Sequence, residues 1–213
     1  MRLPLSSGLL VLCLGTLQAS SITLTPGSLL VQQASTNPIG TGSIVDYTKS
    51  GTASATSATS GFFDLPENLT VLGGNLFVSD GSGRVNRMNL STGAVTSSFS
   101  VGAVGLNGLG TYNGNLLMLN FSSTAIRVYS VAGVLLQSIA LASHPSSLDW
   151  NGIASDGTTF YLADFPSGRL YEYATTGALL GFLQTDAVGG LTEVSYDSAN
   201  NSFMDSQFFG KSR

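Results

Sequence analysis

Charged residues are scarce in this sequence: only 9% of its 213 residues are Asp, Glu, Lys or Arg, against roughly 25% in an average globular chain. The eight Lys and Arg residues form no basic cluster, and the formal net charge is −4 at pH 7. Nucleic-acid binding needs clustered positive charge against the phosphates, so we expect no nucleic-acid partner. Abundant Ser, Thr, Gly and Asn favour a β-rich extracellular protein over a cytosolic enzyme.

Long apolar runs are absent except near the N-terminus. The segment MRLPLSSGLLVLCLGTLQASS begins with Arg2, continues with an apolar run from Leu9 to Leu17 and ends in small residues. This order predicts a secretory signal peptide over residues 1–21, cleaved near Ala19–Ser21; a buried N-terminal strand is the alternative. No later run approaches the roughly 18 residues of a spanning helix. We expect a secreted or extracytoplasmic protein without a transmembrane segment after cleavage.

Cysteine and histidine occur once each. Cys13 lies in the predicted signal peptide, so the mature chain would have no thiol for disulfides, metal sites or nucleophilic catalysis. His144 could pair with Asp149 in a Ser-His-Asp triad. However, the segment His-Pro-Ser-Ser is followed by no Gly-x-Ser-x-Gly nucleophile turn. We therefore expect His144 to be a loop residue.

Short segments recur at regular spacing. Four alternating segments each run into a turn glycine, and these glycines are 42, 40 and 44 residues apart: Gly51, Gly93, Gly133 and Gly177. Three upstream strands (75–80, 115–120 and 159–164) end in Asp80, Asn120 and Asp164, each 13 residues before its turn glycine. Independent loops would not keep this spacing. The three polar residues are expected to cap turns through the backbone.

Two further strands complete each unit. One precedes (67–75, 107–115, 151–159 and 190–201) and one follows the turn glycine (94–101, 134–141 and 178–185). The Asn-Gly and Asp-Gly pairs at 113–114 and 156–157 predict hairpin turns. Four short strands in about 42 residues are typical of a β-propeller blade. A β-sandwich is the alternative, but it would not explain the constant spacing.

We therefore predict an all-β fold, a single β-propeller domain over residues 22–213. Its units lie near 22–60, 66–102, 105–142, 149–186 and 188–210. The first and last units are incomplete. Either they share one composite blade, or they are two partial blades of an unfinished ring, whose open edges invite association.

The segment NGIASDGTTFYLADFPSGRLYEYATTG (151–177) resembles an NHL-type propeller repeat, with Gly-Ile-Ala, a turn, a strand ending in Ala-Asp and a Gly-Arg-Leu strand in order. Residues 67–93 and 107–133 match more loosely. The whole chain also resembles secreted bacterial propellers associated with the PEP-CTERM sorting system. No Pro-Glu-Pro segment, apolar helix or Arg-rich end is seen after FFGKSR.

The candidate site lies where the first strand of each unit begins. Asn107 and Asn151 open what the pattern predicts to be equivalent turns, and Glu67 and Glu193 occupy related places. A ring of such oxygens suits Ca²⁺ or Mg²⁺. Asp149 and Trp150 are a candidate ligand surface. The Asn-Gly-(Leu/Ile) elements resemble those of gluconolactonase-like propellers, a resemblance that implies a metal-binding Asn. The alternative is that Asn-Gly only forms the turn.

These observations favour a secreted, non-enzymatic propeller that acts as a binding scaffold, with no cofactor. Its expected partner is a protein or polysaccharide of the cell envelope or matrix. The alternative is a metal-dependent lactonase of gluconolactonase type with one divalent ion. The recurring tyrosines could form a carbohydrate platform, but packing between blades is the preferred interpretation for Tyr47, Tyr129, Tyr171 and Tyr173.

Overall fold

The computed structural model describes residues 29–35, 41–48, 50, 52–58, 66–80, 82–90, 94–102, 105–145, 149–186, 190–199 and 201–207. The predicted signal peptide, Cys13, Gly51 and Gly93 lie outside these ranges. Every regular element in the described ranges is a β-strand. No helix there is long and apolar enough to cross a membrane.

The strands form five antiparallel sheets, which we call blades 1 to 5 in chain order. Blade 1 contains β1 (Leu29–Ser35), β2 (Thr41–Tyr47) and β3 (Ala53–Ala58). Blade 2 contains β4 (Pro66–Leu72), β5 (Asn75–Asp80), β6 (Arg84–Asn89) and β7 (Val95–Ser100). Blade 3 contains β8 (Leu106–Tyr112), β9 (Asn115–Asn120), β10 (Ala125–Tyr129) and β11 (Leu135–Ala140). Blade 4 contains β12 (Trp150–Ser155), β13 (Thr159–Asp164), β14 (Arg169–Ala174) and β15 (Leu179–Gln184), and blade 5 contains β16 (Leu191–Asp197) and β17 (Ser202–Gln207).

Blades 2, 3 and 4 are four-stranded meanders in which each strand pairs with the next along the chain. Local turn chemistry sets the tight connections. Asn113 and Gly114 both have positive φ, 48° and 73°, as a two-residue hairpin turn requires. Asp156 Oδ1 accepts the N–H groups of Thr158 at 2.7 Å and Thr159 at 2.8 Å, which fixes the turn before β13. The hairpin turns predicted at 113–114 and 156–157 are confirmed.

Two β-bulges mark each complete blade. In the pairing of the first and second strands, the register shifts at the second residue of the first strand: Glu67, Asn107 and Asn151. In the pairing of the third and fourth strands, the register shifts again, at Thr96, Leu136 and Leu180. Bulges of this kind bend and twist a strand locally. Their fixed places identify which position each strand occupies in its blade.

The bulges also identify the strands of the two partial blades. β16 and β17 carry the shift of a first and second strand, at Thr192. β2 and β3 carry the shift of a third and fourth strand, at Ser54, so β1 is a second strand. The two pieces both contain a second strand and form separate sheets. Among the described strands they are therefore two partial blades, and the composite-blade alternative is not what these residues form.

The blades pack side by side through their first strands β4, β8, β12 and β16. Buried apolar side chains fill the space between neighbouring blades, and the largest cluster, between blades 3 and 4, includes Trp150, Phe160 and Tyr173. The first strands of neighbouring blades approach so closely that a side chain does not fit at Gly152. A Cβ built there lies 2.7 Å from Val194 N and 2.9 Å from Glu193 Cα.

The turns between the third and fourth strands, which we call the outer turns, also contact the preceding blade closely. Gly177 has φ +85°, and a Cβ there would meet the carbonyl oxygen of Ala140 in the preceding blade. The Gly177 carbonyl accepts the N–H of Ala142 at 2.9 Å. Gly133, with φ +83°, faces the ring of Phe99 in blade 2. Gly133 and Gly177, the two recurring turn glycines that the structure describes, therefore serve both a left-handed backbone and contact with the preceding blade.

Substituting Gly152 tests the close approach of blades 4 and 5. The change Gly152→Ala should lower the free energy of unfolding by about 1–3 kcal/mol, because the added methyl forces two backbones apart. Gly181→Ala on β15 is the matched control: it lies in a strand with nothing within 4 Å of the built Cβ. The control should change stability by less than about 1 kcal/mol. Urea denaturation measures both; equal losses would contradict the close approach.

Candidate functional site

Asn107 and Asn151 lie inside strands, not in turns. They are the second residues of β8 and β12, at the bulges. The only non-glycine residues with positive φ in the described ranges are Asn113 and Asn201. The expectation that Asn107 and Asn151 open turns is therefore wrong, and so is the interpretation that Asn-Gly serves only a turn there. The following glycines lie in close contact with the next blade: a built Cβ would lie 2.7 Å from Val194 N at Gly152 and 3.1 Å from Ile153 Cγ2 at Gly108.

The bulge places one polar residue at the same point of each first strand. These residues are Glu67, Asn107, Asn151 and Thr192. The side chain of Glu67 lies outside the described residues. Glu193, which the sequence suggested as the fourth member, comes one position later and is equivalent to Gly152. The sequence signal for the bulge position is an apolar residue that begins the first strand of a blade and is followed directly by a polar residue, as in Leu106-Asn107 and Trp150-Asn151.

The structure brings Asn107 and Asn151 together across two blades. Asn107 Nδ2 donates to Asn151 Oδ1 at 2.8 Å. Asn151 Nδ2 in turn points to Asp149 Oδ1 at 3.5 Å, the long limit of a hydrogen bond. Burial, and then the neighbouring negative charge of Asp164, raise the pKa of Asp149. The three side chains form a polar chain from blade 3 to the segment that enters blade 4.

Glu193 lies on the neighbouring strand β16, where its Cα is 2.9 Å from a Cβ built on Gly152. Its Oε1 accepts the N–H of Val194 at 3.2 Å. Burial raises the pKa of Glu193 well above its usual range, because removal from water penalises the charged form. A carboxyl group held in its neutral form can donate a hydrogen bond, which a carboxylate cannot.

Trp150 does not belong to a ligand surface. Its side chain is fully buried, its Nε1 donates to the carbonyl of Ser123 at 3.0 Å, and its ring meets Tyr171 edge-on at 5.6 Å. This corrects the expectation from sequence. An indole is large and apolar, so the gap between blades 3 and 4 is its favourable place. Asp149, its neighbour, remains partly exposed.

The recurring tyrosines pack between blades where the side chain is buried. Tyr129 and Tyr171 are each 6% exposed and Tyr173 is fully buried. Tyr173 donates to the Ser143 carbonyl at 2.7 Å, and burial raises its pKa to about 12. The packing interpretation is confirmed for these three residues, which leaves no carbohydrate platform among them.

The strand-end aspartates cap turns, as predicted. Asp80 Oδ1 accepts the N–H groups of Ser82 at 3.1 Å and Arg84 at 3.0 Å, and the Ser82 hydroxyl at 2.6 Å. Asp164 Oδ2 accepts the Ser167 hydroxyl. Burial raises the pKa of Asp164, although the hydrogen bonds from Ser167 act to lower it. Both carboxylates hold the connection between the second and third strands.

His144 is exposed, and its Nδ1 lies 3.0 Å from the Pro145 carbonyl, which agrees with a loop residue. In the part of the chain that the structure describes, no group of three or more His, Cys, Asp or Glu side chains could hold a metal ion. Asn68, which sequence reasoning missed, is buried and donates to the Leu106 carbonyl at 3.1 Å. It joins blades 2 and 3.

Glu193→Gln tests the raised pKa. A carboxyl whose pKa is higher in the folded protein stabilises the fold most below the ordinary glutamate pKa of about 4.3, and this stability is lost as pH rises through the folded pKa. The wild type should therefore lose stability relative to E193Q as pH increases from 4 to 8, measured by urea denaturation. Glu172→Gln, on partly exposed β14, controls for loss of a negative charge. A pH-independent difference for E193Q would contradict the assignment.

Comparison with known proteins gives the fold. No protein-family model matches the chain, and no curated protein matches it. Among solved structures, the crystal structure of Myxococcus xanthus glutaminyl cyclase is similar, with a TM-score of 0.64 and 14% identity over 84% of this chain and 90% of that one. At this identity the likeness concerns architecture only. Together with the four-stranded blades it shows that this chain has a β-propeller-like fold.

Proposed function

We propose that this protein is a secreted, non-enzymatic β-propeller of NHL type that binds a protein or polysaccharide of the cell envelope or extracellular matrix. One observation carries the proposal: the outermost strands β11 and β15 of neighbouring blades expose large apolar side chains. Leu136 is 55% exposed and Leu180 is 59% exposed. Both lie at the bulge between the third and fourth strands of their blades, the position that Thr96 occupies in blade 2.

The exposed side chains form a set on two adjacent blade edges, which we call the outer apolar rim. Its members are at least one-third exposed: Val134, Leu135, Leu136, Leu179, Leu180, Phe182 and Leu183. Scattered exposed apolar residues need no explanation, but a cluster is typical of an interaction surface. The outermost strands also have one edge without a neighbour in their sheets, and such edges can pair with another chain.

The rim is held in a defined shape. The Arg169 guanidinium lies over the Phe182 ring, 4.3 Å from its centroid, a cation–π arrangement. Arg169 Nε also donates to Gln184 Oε1 at 3.1 Å. A fixed surface loses less conformational freedom when it binds a partner. The predicted signal peptide and the resemblance to secreted bacterial propellers support an extracytoplasmic location for this surface.

Site-specific photo-cross-linking tests the scaffold function. A photoreactive phenylalanine analogue at position 136 or 180, in the protein produced and exported by its native cell, should give a covalent adduct with a partner. The same analogue at position 96 is the matched control, because Thr96 is the equivalent exposed residue on β7. Adducts at 136 and 180 with at least tenfold less at 96 support the proposal. No adduct, or equal adducts at all three positions, would contradict it.

A second candidate is a metal-dependent lactonase, and the Asn107–Asn151 contact is the observation that favours it. The donor set fits an ion poorly as it stands. Asn151 Oδ1 already accepts the Asn107 amide, and no group of three or more His, Cys, Asp or Glu side chains among the described residues could hold a metal ion. An ion would need the amide of Asn107 to turn, so that both oxygens face the same point. For this reason the scaffold remains the preferred function.

Metal content separates the two candidates. Residues 22–213, purified and dialysed without chelator, should retain less than about 0.1 Ca²⁺, Mg²⁺ or Zn²⁺ per chain by mass spectrometry if the scaffold function holds. Retention of one ion per chain, lost in Asn151→Ala, would favour the lactonase and justify a screen of lactones. Asn115→Ala is the control: this amide donates to the Asn113 carbonyl in an exposed turn.

A further inference from the structure

Phe121 is an exposed aromatic residue that lies outside the outer apolar rim, at the end of the blades where the first strands begin. It is 45% exposed and directly follows Asn120, the last residue of β9. Its N–H donates to the Gly105 carbonyl at 3.1 Å, and its carbonyl accepts the N–H of Trp150 at 3.0 Å. These two bonds hold the backbone of Phe121 between the start of β8 and the start of β12.

The equivalent residue of blade 4 shows why the ring of Phe121 is exposed. Phe165 directly follows β13 and is partly buried, and a Cβ built on Gly190 would lie 2.7 Å from Phe165 Cδ2. Gly190 directly precedes β16, as Asp149 directly precedes β12. Asp149 carries a Cβ, so the ring of Phe121 does not have the space over blade 4 that the ring of Phe165 has over blade 5.

Polar side chains with open acceptors lie beside Phe121. Trp150, which is bonded to the Phe121 carbonyl, stands between Asp149 and Asn151 in the chain. The polar chain of Asn107, Asn151 and Asp149 therefore begins next to Phe121, and all three side chains are partly exposed. Its two terminal oxygens, Asn107 Oδ1 and Asp149 Oδ2, accept no hydrogen bond from the residues that the structure describes.

We propose that this place is a binding site for a neutral sugar residue of a polysaccharide, formed by Phe121, Asp149, Asn151 and Asn107. The proposal deepens the proposed function, since it names the class of ligand, and it rests on the extracytoplasmic location assumed there. The sugar site is distinct from the outer apolar rim, at which the scaffold function is tested.

The chemistry of the site selects a neutral sugar. Sites for small ligands combine aromatic side chains with a few polar groups, and a pyranose ring offers one face of C–H groups and an edge of hydroxyl groups. The two open oxygens are acceptors, so the ligand has to supply donors. Hydroxyl groups can donate, whereas an ionised carboxylate can only accept. The net charge of −4 also disfavours an anionic polysaccharide.

An array of neutral oligosaccharides tests the proposal. The protein, purified after export by its native cell, should bind saturably to at least one member of an array of glucan, mannan, galactan and chitin fragments. Isothermal titration calorimetry then gives the affinity for the fragment that binds best. Fragments of alginate, a polymer of uronic acids, are the anionic control and should bind about tenfold more weakly or not at all.

Variants locate the site. Phe121→Ala should lower the affinity for that fragment by about tenfold or more, as truncation of an aromatic anchor does, and Phe121→Tyr should restore it because the ring returns. Phe182→Ala is the matched control: it removes the same side chain from a similarly exposed position, 48% exposed on β15, and should leave the affinity unchanged. Asp149→Ala should weaken binding without a change in the circular dichroism spectrum.

Three results would overturn the proposal. The first is the absence of saturable binding to every neutral fragment, and the second is tighter binding of alginate fragments than of any neutral one. The third is an affinity that Phe121→Ala leaves unchanged, or that Phe182→Ala lowers equally. Cross-links at 136 and 180 without sugar binding would show that this proposal alone fails. The absence of both would contradict the scaffold function as well.

Discussion

The close approach of the first strands of neighbouring blades is the constraint on which the rest of this structure depends. At Gly152 the built Cβ would overlap the backbone of β16, and at Gly110 it would lie 2.5 Å from the Ile153 carbonyl oxygen. Backbone atoms cannot yield as a flexible side chain can. The glycines therefore set the spacing of blades, and the large side chains between the blades, Trp150 above all, fill the wider space behind them.

The bulges between the first and second strands bring polar side chains of neighbouring blades together at the candidate site. A bulge leaves one residue without a cross-strand partner and redirects its side chain. Because the bulge occurs at the same point in β8 and β12, Asn107 and Asn151 reach each other across two blades. Glu193 lies one position beyond the bulge of β16, where burial raises the pKa of its carboxyl group. The described side chains of the site are the amides of Asn107 and Asn151 and the carboxyl groups of Asp149 and Glu193.

The exposed apolar surface lies on the outermost strands of blades 3 and 4. β7 exposes Thr and Ser, whereas β11 and β15 expose Leu and Phe at equivalent positions. One scaffold therefore presents different chemistry on successive blades without a change in backbone. This separation of surface from core allows the exposed side chains to differ between blades while the buried fold is preserved.

The sequence by itself determined the periodic features: the strands, the hairpin turns at 113–114 and 156–157, the turn glycines and the capping roles of Asp80 and Asp164. Each depends on residues close together in the chain, so local chemistry is sufficient to predict it. Only the tertiary structure decided that Asn107 and Asn151 lie in strands, that Trp150 is buried and that, among the described strands, the front and end pieces form separate sheets. These outcomes depend on contacts between blades, which join residues about 40 positions apart. No local sequence pattern shows which side of a strand a neighbouring blade will cover.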